Sequence, residues 1–207
     1  MSQATAKARS AKTTMYRSLI IDAAERLFAS RGYEGTKIQD IAAESGLSLG
    51  TLYSVFEGKS DILDAVHDER LGQLFQLAGS ALATNDKAAT RLMQGNRVFI
   101  RWLTEHPEYL CIHLHNSGAW ASNPQEVGEE LVSAWQRGIA LIARVIEEAM
   151  RDRVIFEGDP VILARLMVAI QQVLISAWVE SGMKSDADDL ADRVELQLER
   201  TLFRGKE

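Results

Sequence analysis

The sequence predicts an all-α protein: an N-terminal three-helix helix-turn-helix domain followed by a larger C-terminal helical domain. Three observations predict it. Apolar residues recur at helical spacing almost throughout the 207 residues. No sustained period-two alternation appears, so no sheet is expected. Proline occurs only three times, and two of the three directly follow a capping residue, Asn123 and Asp159. The length allows one large or two small domains with ample core. The expected organisation is a flexible basic arm over residues 1–14, a helix-turn-helix domain over 15–60 and a second helical domain over 61–207.

The first helix is expected over residues 15–31. Leu19, Ile20, Ala23, Ala24, Leu27 and Phe28 form its inner stripe, and Gly32-Tyr33 ends it. Thr36 can cap a second, short helix, with Gln39 three residues later in capping-box spacing. Ile38, Ile41 and Ala42 would face the core. Gly46 stands where that helix must end in a left-handed residue, and Leu47 plugs the turn. Ser48 can cap a third helix running to residue 55 or 56, with Leu52 and Phe56 inward and Leu49, Gly50, Thr51, Tyr53 and Ser54 outward. A short helix, a glycine turn and a second short helix with a polar outer edge suit a duplex groove. An outward tyrosine among glycine and hydroxyl residues can lie close to a phosphate backbone.

Gly58-Lys59 opens a fourth helix to about residue 82, whose N-terminal N–H groups favour a phosphate. Its early residues Ile62, Leu63 and Val66 suit the first domain, and Leu71, Leu74, Phe75 and Leu77 the second, so one helix links both. Asn85-Asp86 caps the next helix, which ends near His106-Pro107, and a shorter one covers about 108–117. Asn123-Pro124 starts a long helix to 151 or 153, and Asp159-Pro160 starts one that Gly182 stops. Ser185 with Asp188 opens the last helix, where Leu190, Val194, Leu198 and Leu202 recur every four residues.

Charge is uneven. Residues 1–60 carry eight basic and six acidic side chains, a net +2 inside a chain of net −6, and the first 17 residues hold four basic residues and no acidic one. That start reads either as a solubilising tail or as an arm that follows phosphates or enters a minor groove. A single cysteine, Cys111, excludes an intramolecular disulfide and fits a reducing cytosol, and no apolar run marks a signal peptide. A cytoplasmic location follows as an expectation. Residues 166–179 are the most apolar stretch, at 14 residues too short to span a bilayer, and read as a buried helix with no role in a membrane.

The segments RSLIIDAAERLFASRGYEGT and IQDIAAESGLSLGTLYSVFEGKSDIL resemble the tetracycline-repressor (TetR) family of bacterial transcription regulators. They follow its A-x-x-L-F-x-x-x-G-Y, I-A-x-x-x-G and G-T-L-Y-x-x-F-x-x-K patterns in order, over about the first third of the chain. The resemblance implies a homodimer of all-helical subunits whose C-terminal domain dimerises and binds a small molecule. It implies phosphate contacts at Thr36, Tyr53 and Lys59, and base reading by Gln39, which can bond bidentately to adenine. Ser48, Gly50 and Thr51 match the front of the recognition helix. Val55 departs from the pattern, where relatives often carry histidine or another polar residue. It removes a phosphate contact or meets a thymine methyl. With Leu49 also apolar, base readout would lean on shape.

Two copies reading a palindromic double-stranded operator are expected, joined through the last two long helices, with the 190/194/198/202 stripe completing a four-helix interface. The middle of the chain is rich in large side chains. Phe99, Trp102, Tyr109, His113, Trp135 and Gln171 are the candidate lining of an effector pocket, each with an ordinary core role as the alternative. His113 and His115 cannot share a helix face, and Cys111 with His115, which can, are only two ligands, so no metal site is expected. No nucleophile–base pair or phosphate loop stands out, so no catalytic residue and no cofactor is assigned. The expected function is a regulator, a repressor released by a small molecule. An activator, or a helical interaction protein without DNA binding, remains the alternative.

Overall fold

The computed structural model describes residues 3–115 and 129–204. The helices are α1 (Gln3–Gly35), α2 (Ile38–Glu44), α3 (Leu49–Tyr53), α4 (Lys59–Leu82), α5 (Ala88–Glu105), α6 (Pro107–His115), α7 (Glu129–Arg151), α8 (Pro160–Glu180) and α9 (Ala187–Leu202). The Asn123-Pro124 start expected for α7 lies outside the described residues. Among the described residues, strand-like pairing is confined to one bridge, Ile155 with Phe203, which ties the α7–α8 connection to the end of α9.

Helix α1 begins well ahead of residue 15. Its extension has no apolar periodicity, and its described side chains, Lys7, Arg9 and Lys12 among them, are exposed. Ile20, Ile21, Ala23, Ala24, Leu27 and Phe28 are buried, whereas the expected Leu19 is 41% exposed. Gly32, at φ 72° and ψ 166°, breaks the helix without ending its run. A left-handed φ is readily taken by glycine and costs any residue with a Cβ.

That break redirects the chain and reassigns Thr36. Its side chain is 1% exposed, and its hydroxyl donates to the carbonyls of Gly32 (2.8 Å) and Leu27 (3.3 Å). Lys37, not Thr36, occupies the N-cap of α2, with no side-chain cap bond, so the expected capping box does not form. Helix α2 ends as expected at Gly46 (φ 70°). The N–H groups of Gly46 and Leu47 return to Ala43 and Ala42 oxygens at 3.1 and 3.0 Å, a Schellman closure. Gly182 (φ 82°) and Met183 close α8 the same way onto Val179 and Trp178.

Helix α3 starts at the expected Ser48 cap but stops at Tyr53, short of residue 55. Leu52 and Phe56 are buried as expected, and Leu49 and Val55 pack partly buried against the core. Helix α4 has the expected bounds. The cap of α5 is Lys87 rather than Asn85-Asp86, and that of α9 is Asp186, whose carboxylate accepts from Asp189 N at 2.8 Å. Asp159 caps α8, accepting from Val161 and Ile162 N–H groups at 2.8 and 3.1 Å ahead of Pro160.

One continuous hydrophobic cluster runs from α1 to α9. Helix α4 contributes Ile62, Ala65 and Val66 beside the first domain and Leu71, Leu74 and Leu82 beyond it, so it carries core across the expected boundary at residue 60. The two sides of that expected boundary are also joined by charge. Arg70 of α4 grips Glu25 of α1 through Nε and Nη2 at 2.9 and 2.6 Å and reaches Asp22 at 3.0 Å, with Glu25 only 7% exposed. The bond to Glu25 raises the Arg70 pKa further, against the opposing effect of burial. Such a forked pair fixes orientation as well as distance.

Helix α8 spans 21 residues because it starts at Pro160. Alone among the described helices, it is long and apolar enough to cross a bilayer. One side is buried in the fold through Ala164, Met167, Val168, Gln171, Ile175 and Trp178. The other exposes Ile162 (63%), Leu166 (38%) and Val173 (68%). The α9 stripe Leu190, Val194, Leu198 and Leu202 is buried within the subunit, at 0–2% exposure. This corrects the expectation that it faces a partner: the stripe supplies the chain's own core.

Candidate nucleic-acid interface and effector cavity

The polar edge of the helix-turn-helix is assembled by short-range bonds. Ser48 Oγ accepts from Thr51 N at 3.1 Å and lies 2.8 Å from Thr51 Oγ1. Ser54 donates to Thr51 O at 2.6 Å. The three side chains are therefore anchored along α3 before any partner arrives. Gly50 is exposed, and a Cβ there would meet nothing closer than Ser48 Oγ at 4.0 Å. The glycine is thus not required by the fold itself, and it keeps the front of α3 low. Tyr53 is 51% exposed, and Gln39 is exposed on α2. Gln39, Ser48, Gly50, Thr51 and Tyr53 thus lie on or near the surface of the two short helices.

Two sequence-predicted contacts stand apart. Thr36 is withdrawn into the fold, as described. Lys59 is half-buried: its ammonium donates to Tyr33 O (2.7 Å) and Thr36 O (3.0 Å) and sits 4.0 Å from the Tyr33 ring centroid. Two of its three N–H donors fasten the α1–α2 connection, so its first duty is structural. Leu49 and Val55, candidates for shape or methyl contacts, face the core instead.

Behind this head, α4, α5, α7 and α8 enclose a cavity of about 70 Å³. Its lining is almost wholly apolar, with Leu74, Phe75, Leu82, Ile142 and Met167 prominent. Phe99, Trp135 and Gln171 of the predicted set line it. Gln171 Nε2 donates to Asn96 Oδ1 at 3.0 Å, a buried polar pair in the wall.

Trp102, Tyr109 and His113 do not line it. They form a buried aromatic layer beside it. His113 stacks on Trp135 (centroids 5.6 Å, 25°) and lies 6.2 Å from Tyr109. Tyr109 is T-shaped to Trp102 and to His67 of α4, with its hydroxyl 3.2 Å from His67 Nδ1. Burial lowers both histidines from 6.5 to about 4, and it raises the Tyr109 phenol. The layer is therefore neutral at ordinary pH. The aliphatic lining escaped sequence reasoning because Leu and Ile beside a void have the periodicity of ordinary core. A usable signal was present in Gly95 and Gly138, mid-helix glycines that both line the cavity.

A polar, glycine-fronted helix-turn-helix on an all-helical body defines a DNA-binding transcriptional regulator. Residues 20–66 match the family of bacterial regulatory proteins, tetR family. The chain is a TetR-family transcriptional regulator. The Fatty acid metabolism regulator protein of Bacillus subtilis (strain 168) is 26% identical over 178 residues, covering 84% of this chain and 89% of that protein. The structure of FadR from Bacillus subtilis in complex with stearoyl-CoA superposes with a TM-score of 0.76 at 23% identity, covering 87% and 96% of the two chains. AibR in complex with isovaleryl coenzyme A and operator DNA gives 0.73 at 22%, covering 89% and 97%.

Proposed function

We propose that the chain is an effector-released repressor acting as a homodimer on a palindromic operator. The observation that carries this reading is the course of α4. Lys59 at its start fastens the helix-turn-helix, and Leu74, Phe75 and Leu82 further along wall the cavity. A molecule that enlarges the cavity must displace those side chains, and α4 carries the displacement to the DNA-binding head. In a dimer, the two recognition helices must match successive major grooves about 34–36 Å apart. By linkage, effector and operator then weaken each other by the same factor.

Gln39, Ser48, Gly50, Thr51 and Tyr53 form the DNA face, with Tyr53 on phosphate and Gln39 the best-placed base reader. Gln39 is free for that role because the capping box is not made. Thr36 acts from inside the fold, and Lys59 has one donor left for a phosphate. The dimer surface is the outer side of α8, where Ile162, Leu166 and Val173 lie exposed along one face. The expected two helices are kept but not the expected stripe: α9 contributes its outer side, around the 47%-exposed Leu196.

The cavity is below the ~300–1,000 Å³ of ordinary ligand sites, so the structure fits the DNA-competent, effector-free state. Relatives solved with acyl thioesters favour an effector with an acyl chain. The test is fluorescence anisotropy on DNA flanking the protein's own gene at fixed salt, with candidate effectors titrated in. Tight binding to one fragment, released by a compound that raises Tm, is the expected result. Equal affinity for all duplexes would end the proposal.

A further inference from the structure

A second void adjoins the cavity. A groove of about 240 Å³ runs between the first turns of α7 and α8, lined by Val132, Trp135, Gln136, Ile139, Val161 and Arg165. Trp135 and Ile139 also line the inner cavity. They stand one helical turn apart on α7, so the two voids share a wall made of these side chains. Ile139 is buried at 8%, whereas Trp135 is only half-buried. Trp135 is thus the one that can swing. Its indole is held by a stack on His113 rather than by a hydrogen bond among the described residues.

The chemistry of the two voids differs. The inner cavity has no charged side chain in its lining, and the groove has one, Arg165. Arg165 is exposed and has no ion-pair partner among the described residues, although the chain is net acidic. Arg165 lies about a quarter turn, and Val161 about a third of a turn, around α8 from Ile162, Leu166 and Val173. The groove thus opens beside that apolar face rather than on it. Neither void alone matches a ligand-sized site, but joined they reach the lower end of the ordinary range.

We propose that the cavity and the groove are two compartments of one effector site, partitioned by Trp135, which takes an amphiphile with an apolar tail inside and an anionic head on Arg165. This rests on the effector-site reading above and names the class of effector. The guanidinium can hold a carboxylate or a phosphate through two parallel bonds. The tail displaces the Trp135 indole from its stack and so disturbs His113, the start of the aromatic layer that reaches α4.

The experiment uses the full-length protein and three ten-carbon probes: decanoate, decyl phosphate and decanol, each below its micelle concentration. Titration calorimetry is run on the wild type, Arg165→Ala and Trp135→Phe, with thermal unfolding confirming that each variant is folded. At least one anion is expected to bind the wild type about tenfold or more tighter than decanol, and Arg165→Ala to erase that difference. Which anion wins distinguishes a free carboxylate from a phosphate-bearing head. Trp135→Phe, a smaller partition, is expected to tighten all tailed probes without changing the anion preference. Decanol matching both anions, or Arg165→Ala changing none of the affinities, overturns the proposal. So does binding by no probe. If none binds while another compound still releases the operator, the proposal fails and the effector-released reading stands. If no compound releases the operator, that reading fails independently.

Discussion

Single side chains separate binding from building in the DNA-binding head. Tyr53 and Lys59 come from one motif, yet Tyr53 is exposed while Lys59 donates to two backbone carbonyls. Tyr53→Phe should leave Tm unchanged and weaken operator and random DNA alike, because a phosphate bond carries no sequence information. Lys59→Ala should lower stability by about 1–3 kcal/mol, by stranding the Thr36 oxygen and leaving the Tyr33 oxygen only the Thr36 N–H, and weaken DNA binding as a consequence. Urea unfolding beside a salt-controlled DNA titration tells the two apart. A Lys59→Ala protein of wild-type stability would refute the structural role. The buried histidines give a second residue-level prediction. In the unfolded chain they titrate near 6.5, and in the fold at about 4. Above 6.5 both states hold neutral rings, and their contribution is complete. Between 6.5 and 4 the unfolded chain takes up protons that the fold refuses, so stability falls as pH falls, by up to about 3 kcal/mol for each ring. His113→Phe cannot protonate and should make that acid limb shallower, leaving the share of His67. Urea midpoints at pH 7 and pH 5 measure it, and an unchanged slope would show that His113 does not drive it.

At the scale of elements, α4 and α7 meet at a glycine. A Cβ on Gly138 would stand 2.9 Å from Phe75 Cε1, too close to tolerate without movement. Phe75 also lines the cavity, so its ring has somewhere to go. Gly138→Ala should therefore cost little stability, at most about 1 kcal/mol, since helix propensity gained offsets part of the crowding. It should fill the cavity with the Phe75 ring and weaken effector release of DNA. Retained effector response with a large drop in Tm would show the ring to be fixed. The same helices show what the sequence could disclose. The bounds of α4, the Gly46 closure and the Asp159-Pro160 start were legible, since each depends on residues within one turn. The extension of α1 was not, because exposed helix carries no apolar period. The role of Thr36 was hidden because it depends on a left-handed Gly32 folding the chain back onto Leu27, nine residues earlier, in a segment read only as a stop. Of the predicted cavity lining, Phe99, Trp135 and Gln171 lie at the void, and Trp102, Tyr109 and His113 pack one layer behind it. Periodicity gives a face and not a depth.

For the whole molecule, the question is which apolar surface the fold leaves uncovered. The regular leucine-rich stripe of α9 was the obvious seam, but an apolar face says only that something covers it, and here the subunit does so itself. Helix α8 is apolar on more than one side, and a single core can cover only one. Ile162, Leu166 and Val173 remain outside, spaced so that they align along one side of the helix. Large exposed apolar side chains collected on one face mark an association surface more often than they mark chance. A two-fold pair of such faces would bury them and hold the two heads at a fixed spacing, which a palindromic operator requires. Val173→Asp places a charge on that face at its most exposed side chain, since Val173 is 68% exposed in the single subunit. The folded subunit should tolerate it, keeping its helical circular dichroism, because the site is solvated before association. Ultracentrifugation should then find dimers of the wild type and single subunits of Val173→Asp. Operator affinity should fall by far more than one lost contact explains, since half of the DNA contacts leave together. A Val173→Asp protein that remains dimeric and binds its operator normally would place the interface elsewhere.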